Sequence, residues 1–130
     1  TILWMAGLRT IEHHIAPKLR RAARKAGRPE PRIVAGMHIA LTAQKDAARE
    51  KVGKVLAIYR QMPSYRAMVE IEAAEGSPAL ALVGDEKELD AGLDRLRDLG
   101  VSDFEASRVA TDEGAEERTL QYLEAREKRG

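Results

Sequence analysis

The chain has 130 residues, a length that fits one domain, and its 22 Lys and Arg against 21 Asp and Glu leave a net charge of only +1. This balance gives no overall attraction to nucleic acid or to an anionic membrane. Cysteine is absent, which excludes disulfides, thiolate-ligated metals and a cysteine nucleophile. No apolar run approaches the roughly 18 residues of a membrane span, and we expect a cytoplasmic protein.

The first residues suggest that the chain is incomplete. It begins with Thr1 rather than an initiator Met, and the apolar run Ile2–Met5 follows at once. We therefore expect the 130 residues to be a segment of a longer chain.

Charge is unevenly distributed along the sequence. Residues 1–66 carry 14 basic and 4 acidic side chains, whereas residues 67–130 carry 8 basic and 17 acidic ones. The densest basic stretch extends from Lys18 to Arg32. We interpret it as a helix face whose charges meet the acidic half of the same fold. The alternative is a basic surface for an anionic partner. An aromatic content of 4% and the lack of a recognised motif argue against nucleic acid.

The first third of the chain has the pattern of a strand followed by a helix. The run Ile2–Met5 predicts the end of a buried strand, which Gly7 interrupts. Thr10 is predicted to cap a helix whose apolar residues recur every three or four positions. Pro17 either kinks this helix or marks the first position of its main part. Gly27 is a typical stop signal.

The middle of the chain predicts a strand and then helices. Residues 32–41 are almost continuously apolar, as in strands of parallel sheets that are buried on both faces. A helix follows over residues 48–59, and Pro63 begins a second one. The sequence breaks again at residues 76–78. Residues 79–83 fit either a helical turn or a short strand.

The last third predicts a helix, a third strand and a final helix. Asp85 and Glu88 have the spacing of a capping box. Residues 101–109 read as a strand, and Thr111 or Asp112 is expected to cap a highly charged terminal helix. The alternation of strands and helices indicates a parallel α/β fold. Three strands cannot close a barrel, so the sheet is expected to need further strands.

No complete catalytic constellation is visible in the sequence. His13 and His14 are neighbours, so on a helix they point roughly 100° apart and do not form the i, i+4 pair of a metal site. His38 lies in the middle of an apolar strand, and we interpret it as a satisfied core or barrel-lumen residue rather than a catalytic base. Phosphate-binding glycine loops and nucleophile elbows are absent. We assign no catalytic residue and no metal ligand.

Five stretches, taken in their order and spacing, resemble the C-terminal part of the luciferase-like monooxygenase family. The closest branch is the oxidoreductases that use coenzyme F-420, a deazaflavin. The resemblance covers nearly the whole chain. The stretches are TILWMAGLRT (1–10), AGRPEPRIVAG (26–36), MPSYRAM (62–68), ALVGDE (81–86) and GVSDF (100–104).

The resemblance implies a (β/α)₈ TIM-type barrel, of which residues 1–130 supply the end of the sixth strand through the last helix. It also implies hydride transfer between F-420, or alternatively FMN, and an organic substrate. Most of the cofactor pocket would belong to earlier strands absent here, so the isolated segment is expected to be inactive. The implied partners are the rest of the barrel or a second copy, in a homo-oligomer, and a small-molecule substrate. Neither nucleic acid nor a membrane is implied.

Several residues are expected to face a cofactor or substrate, because function in such barrels lies at the C-terminal ends of the strands. Trp4 and Met5 lie at the first such end, and Arg9 on the following loop is placed to meet an anionic group. The family pattern often has Thr at the position of Ala6 and Pro at that of Leu8, so no polar contact is assigned there. The alternative interpretations are core packing for Trp4 and a solvated charge for Arg9.

Two later segments supply the other candidates. Tyr65 and Arg66 fall in a helical excursion that the resemblance places over the barrel mouth. Helix-to-helix packing is the alternative for Tyr65. Arg108 ends the last strand, near where many barrels bind phosphate.

A different class of function is also compatible with the sequence. A second hypothesis is a non-catalytic interaction module that uses the basic helix 18–32 against an acidic partner. This hypothesis predicts a self-sufficient monomer with a closed core, whereas the enzyme hypothesis predicts a chain that needs its other part. A third hypothesis is self-association through the oppositely charged halves.

Overall fold

Parallel strands form one sheet in the computed structural model, which describes residues 1–73 and 80–130. The strands within these residues are β1 (Ile2–Trp4), β2 (Val34–Leu41), β3 (Ala81–Gly84) and β4 (Asp103–Arg108). The sequence predicted three of them. The fourth is β3, which resolves the ambiguity over residues 79–83 in favour of a strand from Ala81 onward. The predicted break at residues 76–78 lies outside the described residues.

Strand β2 is the centre of the sheet. Along one edge it pairs with β4, from Val34 opposite Asp103 to Ile39 opposite Arg108. Its other edge is shared, because β1 pairs with residues 34–36 and β3 with residues 38–41. All three pairings are parallel, and the six central residues of β2 are buried. The predicted parallel strand with both faces buried is therefore confirmed.

Helical segments connect and cover the strands. The first of them is continuous through a π-helical turn, in which the Ala16 N–H donates to the Ile11 carbonyl, and Pro17 is the second residue of α2 just beyond it. A proline has no N–H for the helical ladder and is tolerated best in the first turn of a helix. The segments are α1 (Leu8–Thr10), the π-turn (Ile11–Ile15), α2 (Ala16–Lys25), α3 (Lys45–Ala57), a 3₁₀ turn (Tyr59–Gln61), α4 (Pro63–Ala73), α5 (Glu86–Asp98) and α6 (Ala115–Arg129).

The two faces of the sheet contribute to two apolar clusters. Alternate side chains of β2, those of Ala35, Met37 and Ile39, join a cluster with α1, α2, α5 and α6, and we call this side the outer face. The intervening residues, Gly36, His38 and Ala40, belong to the opposite side, the inner face. The second cluster, called here the inner cluster, is formed by Met5, Val52, Leu56 and Leu80 with Trp4, Tyr59, Tyr65, Val69, Ala81, Val83 and Val109 packed against them.

The helix caps were predicted with mixed success. The capping box of α5 is confirmed, since the Glu88 N–H donates to Asp85 Oδ1 and the Asp85 N–H donates to Glu88 Oε2, each at 2.9 Å. Thr111 and Asp112 do not cap α6, whose N-cap is Gly114 at φ +75°. The Asp112 carboxylate instead accepts hydrogen bonds from Arg118 and Thr42. A side chain that is engaged elsewhere is not available to the helix N-terminus.

Thr10 does not cap the first helix either, because a buried carboxylate from α4 takes that place. The helix begins at Leu8 with Gly7 as N-cap. The Thr10 N–H and hydroxyl both donate to Glu72 Oε1 at 2.8 Å, and the Arg9 N–H lies 3.4 Å from Oε2. Glu72 is only 2% exposed. A Cβ at Gly7 would lie 2.1 Å from Glu72 Cδ, so this close approach requires glycine.

We expect Glu72→Ala to lower the free energy of unfolding by about 1–3 kcal/mol, because it leaves buried N–H groups of α1 without an acceptor. Urea or thermal unfolding measures this loss. The matched control is Glu70→Ala on the same helix, where an exposed side chain is removed and a change within about 0.5 kcal/mol is expected. Equal effects of the two substitutions would show that Glu72 does not cap α1.

Candidate functional site

The end of β1 is shaped by an unusual backbone conformation at Met5. Met5 has φ +55°, in the left-handed region that residues other than glycine rarely adopt, and its side chain is fully buried. Its N–H donates to the Gly36 carbonyl at 2.7 Å, which holds the turn against β2. Such conformations persist only where the surroundings impose them, and they concentrate at functional sites. The turn leaves both Trp4 and Met5 in the inner cluster.

Trp4 lies close to the backbone of β2 because Gly36 has no side chain. A Cβ at position 36 would be 2.6 Å from Trp4 Cε3 and 3.4 Å from Glu105 Oε2. The Trp4 ring also meets the His38 ring edge-on, with their centroids 5.8 Å apart. An aromatic and an imidazole ring are thus in direct contact on the inner face.

His38 is buried but only half satisfied. Its Nδ1 lies 3.0 Å from the Ser107 hydroxyl oxygen on β4, whereas Nε2 has no hydrogen-bond partner among the described residues. Burial lowers the pKa of His38, and a hydrogen bond to the backbone of Ser107 opposes this shift to a smaller extent. The ring is therefore neutral at pH 7. The prediction of a satisfied residue is wrong for Nε2, while the position on the inner sheet face agrees with the predicted lumen.

Tyr65 reaches the same cluster from α4. It meets Tyr59 edge-on, with ring centroids 5.1 Å apart, and both rings pack against the group formed by Met5, Val52 and Leu56. Three of the six residues predicted to face a cofactor or substrate, Trp4, Met5 and Tyr65, are thus brought together. Their joint placement makes the inner face the candidate functional site.

The three predicted arginines lie outside this cluster. Arg9 is partly buried on α1, and Arg66 is exposed on α4. Arg108 is exposed at the end of β4, where it lines a cavity of about 450 Å³. Three carboxylates, those of Asp112, Glu116 and Glu117, line the same cavity. Their negative charge disfavours a phosphate, so the geometry does not add support to the predicted role of Arg108.

Three residues of the candidate site were not identified as site residues from the sequence. They are His38, Ser107 and Tyr59. The pattern around His38 carried a usable signal, since the small residues Gly36 and Ala40 flank it on the same strand face and allow another group to approach closely, as Trp4 does at Gly36. Ser107 could not be found in this way, because its pairing with His38 depends on the register of β4. Within the described residues there is no group of three or more metal-ligating side chains, and no helix is long and apolar enough to cross a membrane.

Comparisons with known proteins give one informative result. No family model and no curated protein matches the chain. The structure is similar to a solved F420-dependent secondary alcohol dehydrogenase in complex with an F420-acetone adduct, with a TM-score of 0.56 over 82% of this chain. The chain shares the fold of part of this enzyme. Sequence identity is 17%, and the chain spans 36% of the enzyme's length. The parallel strands and flanking helices are consistent with part of a TIM-type fold.

We expect Gly36→Ala to displace the Trp4 ring and to destabilise the protein by about 1–3 kcal/mol, because the added methyl group has no room. Thermal melting measures the loss, and the emission of Trp4, the single tryptophan, reports the ring movement. The control is Gly53→Ala in α3, where a Cβ meets nothing within 4 Å. That substitution should stabilise the helix by about 0.4–1 kcal/mol. An unchanged emission spectrum in Gly36→Ala would contradict the described packing.

We also expect His38 to make stability depend on pH. Its pKa is lower in the folded state than the ordinary 6.5, so the unfolded chain binds the proton more tightly. The free energy of unfolding should be unaffected above about pH 6.5 and should fall as pH decreases below that value toward the lowered pKa. Unfolding measured at several pH values, for wild type and for His38→Phe, isolates this contribution. A constant difference between the two proteins from pH 7 to pH 5 would refute the shift.

Proposed function

We propose that this chain is part of an oxidoreductase that transfers a hydride between F-420, or alternatively FMN, and a small organic substrate. The observation that carries the proposal is the fold similarity to an F420-dependent secondary alcohol dehydrogenase over 82% of this chain. The aromatic inner cluster adds local support, because flat cofactor rings bind in largely apolar pockets that contain a few polar groups.

We further propose that residues 1–130 are the C-terminal portion of a barrel, from the end of its sixth strand to its last helix. In the described residues, β1 and β4 each pair with β2 alone, so each leaves one edge without a strand partner. On the inner face, Ile2 is 74% exposed. Open strand edges and exposed apolar residues favour a neighbour that covers them. That neighbour would be the rest of the barrel or a second copy of the chain.

The residues on the inner face fit the proposed cofactor and substrate in chemical type. Bound F-420 or FMN supplies the ring carbon or nitrogen that gives or takes the hydride. Trp4 and Tyr65 would pack against the ring or the substrate and exclude water from it. Arg9, at the start of α1, would meet an anionic group of the ligand. Arg66 and Arg108 remain predictions that the geometry of the cluster does not strengthen.

Cofactor binding to the intact protein tests the proposal. We expect saturable binding of F-420 or FMN in a fluorescence titration, and an approximately tenfold weaker affinity for Trp4→Ala because an apolar wall is lost. Trp4→Phe should retain most of the affinity, since it keeps an aromatic ring. Val55→Ala, which shortens an exposed side chain outside the inner cluster, is the control. Absence of binding to either cofactor by the wild type would refute the proposal.

The alternative, a non-catalytic interaction module, receives support from one observation. The helix of the predicted basic segment 18–32 ends at Lys25, and residues 26–33 are not helical. Within this segment Arg32 pairs with Asp103 of the acidic half, whereas Arg20 donates to the Leu99 carbonyl and has Glu30 as its acidic neighbour, at 3.6 Å. The other cations of this stretch are exposed and favour an acidic partner. They are Lys18, Arg21, Arg24, Lys25 and Arg28. A cooperative melt of the isolated 130 residues as a monomer, without cofactor binding by the intact protein, would favour the module.

A further inference from the structure

The inner face contains one buried polar atom that the fold does not use. His38 is 7% exposed, and Nε2 of its ring has no hydrogen-bond partner among the described residues. A buried polar atom without a partner costs about 1–3 kcal/mol, and folded proteins contain few of them. An apolar side chain at this position would avoid that cost. The unpartnered Nε2 of His38 therefore requires an explanation.

Nδ1, the other nitrogen of the ring, is engaged with Ser107, and its role there determines whether Nε2 donates or accepts a hydrogen bond. Nδ1 lies 3.0 Å from the hydroxyl of Ser107, in the residue pair that β2 and β4 bring side by side. Nδ1 either donates to this hydroxyl or accepts from it, according to the tautomer of the ring. In the neutral ring Nε2 takes the opposite role, so it offers one hydrogen bond to a ligand.

The surroundings of the ring are suited to a small flat or compact group. The Trp4 ring stands edge-on to it at 5.8 Å and fills the space beside Gly36, whereas Ala40, the next residue on the other side along the same strand face, is small. A neutral ring nitrogen in this apolar setting suits an uncharged polar group, because a carboxylate or phosphate would lose its hydration there. The ligand chemistry is thus that of an uncharged hydrogen-bonding group.

We propose that Nε2 of His38 forms a hydrogen bond with an uncharged polar group of the ligand bound on the inner face, with Ser107 as the positioning residue. This inference rests on the proposed oxidoreductase function. The group belongs either to the cofactor ring or to an alcohol substrate, as its hydroxyl. His38 then fixes the orientation of the ligand relative to Trp4.

The imidazole nitrogens can be observed directly by NMR in the intact protein labelled with ¹⁵N-histidine. We expect the Nε2 signal of His38 to shift on addition of F-420 or FMN alone if its partner belongs to the cofactor. It should shift only on further addition of propan-2-ol if its partner is a substrate hydroxyl. The exposed His13 and His14 are internal controls that should not move.

Two substitutions at position 38 distinguish the role of Nδ1 from that of Nε2. His38→Asn keeps an amide N–H near the position of Nδ1, which can still bond Ser107, but has no atom at Nε2. His38→Gln places a polar atom near Nε2. We expect the affinity for the ligand that shifts Nε2 to fall at least about tenfold in His38→Asn and to stay within about threefold of wild type in His38→Gln.

The outcomes distinguish this inference from the proposed function. If the wild type binds a cofactor but the Nε2 signal stays in place with cofactor and alcohol present, the inference is wrong and the proposed function stands. Unchanged affinity in His38→Asn leads to the same conclusion. If the wild type binds neither cofactor, the proposed function fails and this inference fails with it.

Discussion

The structure depends on the need to bury strand β2 completely. Its apolar residues require strand partners along both edges and side-chain cover on both faces, since backbone N–H and C=O groups in the interior must be paired. Strand β4 satisfies one edge over six residues, and β1 and β3 divide the other. The helices then pack against the faces that these pairings create.

The two faces of the sheet differ in what they contain. The outer face is closed by apolar residues of α1, α2, α5 and α6, as expected of a surface whose only role is packing. The inner face combines Trp4, the strained turn at Met5 and the half-satisfied ring of His38. Backbone strain and unpaired polar atoms destabilise a protein and are found mainly at functional sites. The presence of both on the inner face distinguishes the candidate site from the rest of the core.

Local patterns in the sequence were sufficient for β1, β2, β4 and the α5 capping box, and they left β3 open between a helical turn and a strand. The family resemblance, and not a local pattern, named Trp4, Met5 and Tyr65, which lie in one cluster. They failed where tertiary contacts override local preference. Thr10 has the type of residue that caps helices, yet Glu72 performs this function from 62 positions away. Asp112 is likewise held by Arg118 and Thr42. The role of His38 depends on Ser107, 69 residues later, and strand register cannot be read from one strand alone.

The division of one β2 edge between β1 and β3 limits where the chain can change length. Pairing with β1 stops at Gly36 and pairing with β3 begins at His38, so Met37 alone separates the two neighbours. The left-handed turn at Met5 ends β1 before the part of the β2 edge that β3 occupies. A longer β1 would therefore compete with β3 for the same backbone groups of β2. Homologues that vary in size should not carry extra strand residues directly after Trp4.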